Sequence, residues 1–388
     1  MNKTKELKAI LYGMGTNFAK VIEYVTLRFI VIGCSDGNLE KEALAKTYDM
    51  SFISPEDIVD EVFDYILITS IYGEEIKSDL SNKYYVNETK ILQMEEWQKM
   101  EFWHSFGSKN PDKCFYLISK PIRAFNGIVS LLYMYLDLLV KTEGSELIPV
   151  IDLQSYKNQY LDDEEVGKIN AWDKFFKPIS DYSVNDVLES QNVILAYDEP
   201  GYLADFRQKY NISRMMEVYR KRIAFNEVTS KYIQQELELV LGKNKNVIGV
   251  LYRGTDMTSL KLKKHMVQPT LSEICDKVVD FQKKYGCERV FVSTEDADAL
   301  LFFKKIFADK LLYTNQKRYS NTGKDWIADI KNERENDAFL RGAEYLSTIY
   351  ILSRCDYLVS GIVAGSFGAL IMNNGKYKDV CIIDKGSY

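Results

Sequence analysis

Several residue types are scarce in this sequence, and their scarcity narrows the classes of protein it can belong to. The 388 residues include only 7 prolines, 6 cysteines and 2 histidines. Few prolines, combined with 46% hydrophobic and 13% aromatic residues, exclude a disordered or linker-rich chain and indicate a folded globular protein. At this length we expect two or three packed domains rather than a single core.

The cysteines lack the paired spacing that zinc sites and disulfide frameworks use. They stand apart, without a CxxC pair, at Cys34, Cys114, Cys275, Cys287, Cys355 and Cys381. We therefore expect reduced, mostly buried thiols in a cytoplasmic protein, and no metal site.

An excess of positive charge and a long apolar run are also missing. The 50 basic and 56 acidic residues leave a formal charge of -6, which gives no attraction for nucleic acid. Asp137 interrupts the most apolar stretch, GIVSLLYMYLDLLV, and the run near the N-terminus is too short for a membrane span. We expect a core helix at the former, no span and no signal peptide, with peripheral membrane association left open.

The first 105 residues alternate apolar strands with helical segments. One strand enters a turn with Gly13 and Gly15, a second ends at Asp36, and DYILITS forms a third. This order predicts a Rossmann-like α/β domain over residues 1–105. Gly13, Gly15 and Asp36 also fit the start of a dinucleotide site, but Phe18 stands where the third small residue belongs. Dinucleotide binding and a purely structural turn therefore both remain open.

A loop-like segment, GSKNPDK, separates this domain from the strand CFYLIS. An apolar helix, the strand LIPVIDL and a charged helical region from Leu203 to Leu241 follow, which predicts a second α/β unit over residues 113–245. Within it, Trp172, Phe175 and Phe176 are interpreted as core packing, with sugar stacking as the alternative.

Charged and polar residues follow the apolar strand VIGVLY directly, at Arg253, Gly254, Thr255 and Asp256. Ligands in open α/β sheets bind outside the carboxyl ends of strands, and a guanidinium there suits a diphosphate. The alternative for Arg253 is a structural ion pair with Asp256. His265 lies in the basic loop that follows, with Lys261, Lys263 and Lys264, and is either a substrate-orienting residue or general base, or a plain surface histidine.

Two further blocks carry polar residues at predicted strand ends. CERVFVSTED ends in Ser293, Thr294, Glu295 and Asp296. Asp296 and Asp298 spell a DxD pattern, which we interpret as a helix start rather than a metal site. In the last block, Ser366 and its neighbouring glycines precede a helix whose N-terminus is suited to a phosphate.

These three blocks resemble motifs of the fucosyltransferases that act on core glycans, Nod factors and protein hydroxyls. VIGVLYRGTD resembles their VIGVHVRRTD-type or HxRxGTD-type motif, with Leu251 at the motif histidine and Gly254 at its second arginine. CERVFVSTED is similar to their VYLATDD-type strand end, and LSRCDYLVSGIVAGS to LSxxDxLVxxxSS. The resemblance implies that Arg253 contacts the β-phosphate of GDP-fucose. It also implies a nucleotide pocket lined by Gly254, Thr255, Ser293, Thr294, Asp296 and Ser366.

The resemblance further implies a GT-B-like pair of Rossmann-type halves after the N-terminal domain. Residues 113–245 form the acceptor half and residues 246–388 the donor half. The implied activity is inverting, metal-independent transfer of a sugar, with GDP-fucose favoured as donor and no required cofactor, to a glycan hydroxyl in surface polysaccharide or glycoconjugate synthesis. Asp256, Glu295 and Glu344 are candidate bases beside His265.

Two other functions compete with this interpretation. One is an NAD-binding oxidoreductase or sensor that uses the turn at Gly13 and Gly15. The other is a non-catalytic scaffold in polysaccharide assembly.

Overall fold

The computed structural model describes residues 7–26, 29–97, 100, 102–119, 127–196, 212–261, 265–320, 326–330 and 332–388. The chain forms two compact units. Met1–Ala124 with Tyr182–Glu199 makes the first, and Phe125–Asp181 with Pro200–Tyr388 makes the second. The division into residues 1–105, 113–245 and 246–388 stays a prediction.

The N-terminal sheet of the first unit is parallel, in the order β2-β1-β3-β4. Its strands are β1 (Lys8–Tyr12), β2 (Ile30–Ser35), β3 (Tyr65–Ile68) and β4 (Ile91–Leu92). Its helices are α1 (Phe18–Thr26), α2 (Glu42–Thr47), α3 (Gly73–Asn82) and α4 (Met94–Trp97). The apolar residues of β1 are buried because a central parallel strand is covered on both faces. Phe18, the first residue of α1, is buried in the core with its ring edge-on to Tyr48. The fold therefore accommodates a bulky residue at the position where a dinucleotide motif has a small one.

A second sheet of the first unit contains β5 (Phe102–His104), β6 (Cys114–Ser119) and β8 (Val193–Ala196). Strand β8 lies between the other two, parallel to β6 and antiparallel to β5. A short helix, α6 (Val184–Val187), begins with a capping box between Ser183 and Asp186.

The second unit contains a five-stranded parallel sheet in the order β11-β10-β9-β12-β13. Its strands are β9 (Val247–Leu251), β10 (Arg289–Ser293), β11 (Leu311–Leu312), β12 (Tyr357–Gly361) and β13 (Asp379–Ile383). The intervening helices are α9 (Thr255–Ser259), α10 (Leu271–Tyr285), α11 (Ala297–Phe307), α12 (Asp337–Leu352) and α13 (Ala364–Asn373). The same unit includes α5 (Ile128–Thr142), β7 (Leu147–Asp152), α7 (Ile212–Arg222) and α8 (Glu227–Val240). The predicted helical region from Leu203 lies outside the described residues as far as residue 211.

The aromatic cluster of the second unit is core, as predicted. Trp172 stacks on Phe176 with 4.2 Å between ring centroids, and Phe175 stacks on Phe339. Trp172, Phe175 and Phe176 are almost completely buried, so their rings are not available for stacking on a sugar.

The predicted fold class is confirmed at the level of the sheets. The chain is α/β, with a Rossmann-like parallel sheet first and two further α/β sheets after it, as expected for a GT-B-like pair of Rossmann-type halves. The stretch around Asp137 forms α5, most of whose side chains are buried. Among the described helices, none combines the length and the apolar character that crossing a bilayer needs.

Candidate functional site

The order of strands in the five-stranded sheet defines where a ligand would bind. After β9 the chain adds β10 and β11 on one side, and then returns to place β12 and β13 on the other side. The direction of winding therefore reverses between β9 and β12. Open α/β sheets bind ligands in the crevice that such a switch point leaves at the carboxyl ends of the strands.

Arg253 lies at this position, two residues after β9. Its guanidinium faces Asp256, with Nη2 3.2 Å from Oδ1, and Glu295, with Nη1 3.4 Å from Oε2. The Arg253 side chain is 21% exposed and the two carboxylate side chains 5% and 12%. The ion pair with Asp256 that the sequence left as an alternative is present, and the carboxylate that follows β10 joins it.

The backbone after Arg253 is fixed by the same carboxylates. The Gly254 N–H donates to Glu295 Oε1 (3.0 Å), and the Thr255 hydroxyl donates to Glu295 Oε1 (3.0 Å) and lies 3.2 Å from Asp256 Oδ1. A Cβ atom on Gly254 would lie 2.0 Å from Asp296 Oδ2, so only glycine fits there. Thr255 has φ +44°, which is strained for a β-branched residue and persists because its neighbours hold it.

Burial and charge set the protonation of this cluster. Burial raises the pKa of Glu295, and the Asp256 charge adds to this, while Arg253 opposes it. Burial alone would lower the pKa of Arg253. The Glu295 and Asp256 carboxylates raise that pKa by more than burial lowers it, so the guanidinium stays charged. The arrangement is one fixed cation between two carboxylates, one of which takes up a proton more readily than usual.

His265 lies close enough to this cluster for its charge to act on the imidazole. Burial lowers the pKa of His265, and the Asp256 carboxylate opposes that shift. The His265 ring lies 6.4 Å from the Trp326 ring. The residue after Trp326, Ile327, places its backbone nitrogen 3.4 Å from Asp256 Oδ2. His265 is thus a partly buried imidazole that favours the neutral form. The neighbouring Lys263 and Lys264 lie outside the described residues.

Helix α13 begins at the other side of the switch point. No side chain caps its first turn, since the residue before it is Val363. A Cβ atom on Gly365 would lie 2.8 Å from both Leu251 Cδ2 and the Tyr345 hydroxyl, so the first turn of α13 lies against the end of β9. Free backbone N–H groups of a helix start favour anions.

Not every predicted residue faces this crevice. The Ser366 hydroxyl is completely buried and donates to Gly361 O (2.8 Å), with the Ser360 hydroxyl 2.5 Å away. Glu344 accepts two bonds from Arg334, at 2.7 and 3.1 Å. Both side chains therefore have partners of their own, and their predicted contact with substrate stays a prediction.

The residues predicted at the end of β10 divide between site and scaffold. Asp296 Oδ1 accepts from Asp298 N and Ala299 N, both at 2.9 Å, and so caps α11, which confirms the interpretation of the DxD pattern as a helix start. Thr294 Oγ1 accepts from Asp296 N (3.2 Å), and Ser293 ends β10, buried. No cluster of potential metal ligands occurs among the described residues.

Sequence reasoning missed Tyr345 and Arg318. The charges of Arg253 and Glu295 both act on the pKa of Tyr345, and Tyr345 lies on α12. Arg318 donates to Thr314 O (2.7 Å), while its buried Nε has no partner in the described part of the chain. Tyr345 directly follows the candidate base Glu344 in the sequence, but no motif singles out either Tyr345 or Arg318.

The strand ends of the N-terminal sheet are arranged differently. Gly13 has φ +97°, a backbone conformation that glycine adopts readily because it has no Cβ atom. The Asp36 carboxylate accepts from Met14 N (2.6 Å) and Asn38 N (2.9 Å). The Thr69 hydroxyl donates to Gly13 O (2.6 Å). Asp36, which also fits a dinucleotide site by its place in the sequence, therefore holds the glycine turn itself.

One comparison with known proteins concerns the N-terminal part of the chain. Residues 5–92 match a family model described as C2185-like, N-terminal, which is less than half of the chain. No curated protein matches the sequence.

The solved structures that the chain is similar to include fucosyltransferases, the group whose motifs the sequence resembles. Fucosyltransferase NodZ from Bradyrhizobium shares 14% identity, covering 66% of this chain and 92% of its own, with a TM-score of 0.40. A variant of Arabidopsis thaliana FUT1 in complex with GDP shares 11%, covering 71% and 72%, with a TM-score of 0.38. POFUT1 in complex with GDP-fucose shares 10%, covering 98% and 99%, with a TM-score of 0.27. At these values the likeness stops at the general fold, and the chemistry of the site has to be argued from its own residues.

Proposed function

We propose that this chain is a glycosyltransferase that takes its sugar from a nucleotide donor, with GDP-fucose as the favoured donor. One observation carries the proposal: a partly buried arginine at the carboxyl end of β9 lies at the switch point from which α13 begins. Arg253 and the uncapped first turn of α13 both offer N–H donors to an anion. A nucleoside diphosphate has two adjacent charged phosphates and can accept from both sets of donors.

The two carboxylates beside Arg253 have to be reconciled with a bound diphosphate. With Asp256 and Glu295 ionised, the three side chains carry one net negative charge, which would oppose phosphate. The raised pKa of Glu295 allows that carboxyl to take up a proton when the donor binds, which leaves the cluster neutral. The guanidinium has five N–H donors, and those not directed at the carboxylates serve the phosphates.

Loss of the nucleoside diphosphate then follows from the same groups. As the bond between the sugar carbon and the β-phosphate oxygen breaks, its electron pair moves to that oxygen, and Arg253 with the α13 amides stabilises the added charge. Because Asp296 caps α11 and its second oxygen lies 3.4 Å from Thr255 N, we expect this to proceed without a divalent ion.

His265 is the base that best fits the acceptor step. Both carboxylates of the cluster already accept hydrogen bonds, whereas no bond from the His265 ring is formed within the described residues. Its lowered pKa keeps the imidazole neutral and ready to take the proton of an acceptor hydroxyl. Attack opposite the leaving group inverts the sugar carbon, and we propose a glycan of a surface polysaccharide or glycoconjugate as acceptor.

Calorimetric titration tests the donor proposal. The protein is titrated with GDP, UDP and NAD, with and without magnesium, and so is the variant Arg253→Met. The control variant is Arg289→Met, because Arg289 is the first residue of β10 and lies at the edge of the sheet opposite to Arg253. We expect magnesium-independent GDP binding that Arg253→Met weakens at least about 100-fold, unchanged binding in Arg289→Met, and proton uptake detected as a dependence of the heat on buffer.

Other titration outcomes have distinct meanings. Preference for UDP would change the donor; NAD binding alone, or no nucleotide binding at all, would overturn the proposal.

The pH dependence of the rate tests the base. Loss of a positioned base costs roughly 100- to 10,000-fold in rate, which is the expected fall in kcat for His265→Gln. In the unchanged protein, kcat/KM should rise with pH through an apparent pKa below 6.5, because the neutral imidazole is the active form. A profile that keeps this limb in His265→Gln would assign the base elsewhere.

A further inference from the structure

Tyr345 is a residue of the crevice that no motif assigns. It lies on α12, and its hydroxyl stands 2.8 Å from the place where a Cβ on Gly365 would be. The side chain of Leu251, the last residue of β9, lies at the same distance from that point. The hydroxyl is therefore located where the end of β9 meets the first turn of α13.

The ring of Tyr345 is confined by glycine on a second side. A Cβ atom on Gly127 would lie 3.2 Å from Tyr345 Cε1, so the start of α5 packs on the ring edge. Larger residues at Gly127 or Gly365 would displace the phenol. A side chain held between two glycines has little rotamer freedom to lose when a ligand arrives.

The surroundings of the hydroxyl favour a hydrogen-bond donor. Burial raises the pKa of Tyr345 to about 12; the Glu295 charge adds to this and the Arg253 charge opposes it. The phenol thus keeps its proton at neutral pH. Within the described part of the chain, no hydrogen bond from this hydroxyl is formed, although the start of α13 lies next to it.

We propose that Tyr345 is a donor-binding residue whose hydroxyl hydrogen-bonds the diphosphate held by Arg253 and the first turn of α13. This inference rests on the proposed function. The proton stays on the phenol throughout. The contact strengthens as the β-phosphate oxygen receives the electron pair of the broken sugar–oxygen bond, so it contributes both to binding and to the rate.

The test compares two tyrosines of the same helix. Tyr345→Phe removes the hydroxyl in question, and Tyr350→Phe removes one that accepts from Arg354 (2.7 Å) at the surface. A hydrogen bond to a charged group changes affinity by about 10- to 100-fold. We expect that loss of GDP affinity, or an equal loss of kcat with GDP-fucose, in Tyr345→Phe, and wild-type values in Tyr350→Phe.

The possible results separate this inference from the proposed function. If the unchanged protein binds no nucleoside diphosphate, the proposed function fails and Tyr345 loses its role with it. If the unchanged protein binds GDP and Tyr345→Phe matches it in both Kd and kcat, only the Tyr345 inference is overturned. Amide hydrogen exchange of α12 and α13 in each variant shows whether the packing is retained.

Discussion

Two parallel sheets of this chain contain a switch point, and they differ in what lies at their strand ends. In the N-terminal sheet, β1 is flanked by β2 and β3, and the ends are joined by Asp36, Thr69 and backbone groups. In the five-stranded sheet, β9 is flanked by β10 and β12, and a partly buried arginine with two carboxylates follows the strands.

The difference teaches that the backbone plan alone does not assign a ligand. Both sheets create a crevice of the same kind, but the described polar groups of the first are used to close its glycine turn. In the five-stranded sheet, Glu295 holds the backbone after β9, and the charged side chains of Arg253 and Asp256 are present in addition. The proposed function therefore depends on the side chains of the second site, because the fold alone defines only the position of a crevice.

The two sites should differ most in the stability that each loses when its central charged residue is replaced. Arg253→Met leaves two buried carboxylates without a cation, which should cost about 3–5 kcal/mol. Asp36→Ala leaves two partly exposed backbone N–H groups to water and should cost about 1–2 kcal/mol. Hydrogen exchange resolved by peptide measures the loss of protection in each sheet separately, which matters because two units need not unfold together.

Equal losses in the two variants would contradict the contrast between the sites. Arg253→Lys is the control for charge: it retains the cation but not the planar fork, so the sheet should recover part of its protection while GDP binding stays weak.

A smaller effect distinguishes the two glycine positions. Gly254→Ala forces a Cβ into Asp296 and should destabilise the second sheet by about 1–3 kcal/mol. Gly15→Ala meets no atom within 4 Å and should change stability by less than about 0.5 kcal/mol. Urea denaturation of both variants checks this. Similar midpoints for the two would mean that Asp296 moves aside freely.

Residues at strand ends could be located from the sequence, and residues on helices could not. Arg253, Asp256, Glu295 and Asp296 each follow a buried apolar strand closely, and parallel strands bring their carboxyl ends to one edge. That logic needs only the periodicity of the sequence, and the structure brings these four together.

Helical residues require knowledge of which face packs on the sheet. Glu344 and Tyr345 are adjacent, but successive positions on a helix point about 100° apart. Glu344 therefore accepts from Arg334, while the Tyr345 hydroxyl lies beside the first turn of α13. Ser366 shows the same difficulty: its place at a helix start was predictable, but its hydroxyl turns inward to Gly361.

The contact between Gly254 and Asp296 ties two distant positions of the sequence into one constraint. The aspartate that caps α11 occupies the space that a side chain at position 254 would need. A larger side chain at position 254 therefore requires the Asp296 side chain to leave its place beside the Thr255 backbone nitrogen, which lies 3.4 Å from Asp296 Oδ2. The turn after β9 and the start of α11 are thus constrained to change together.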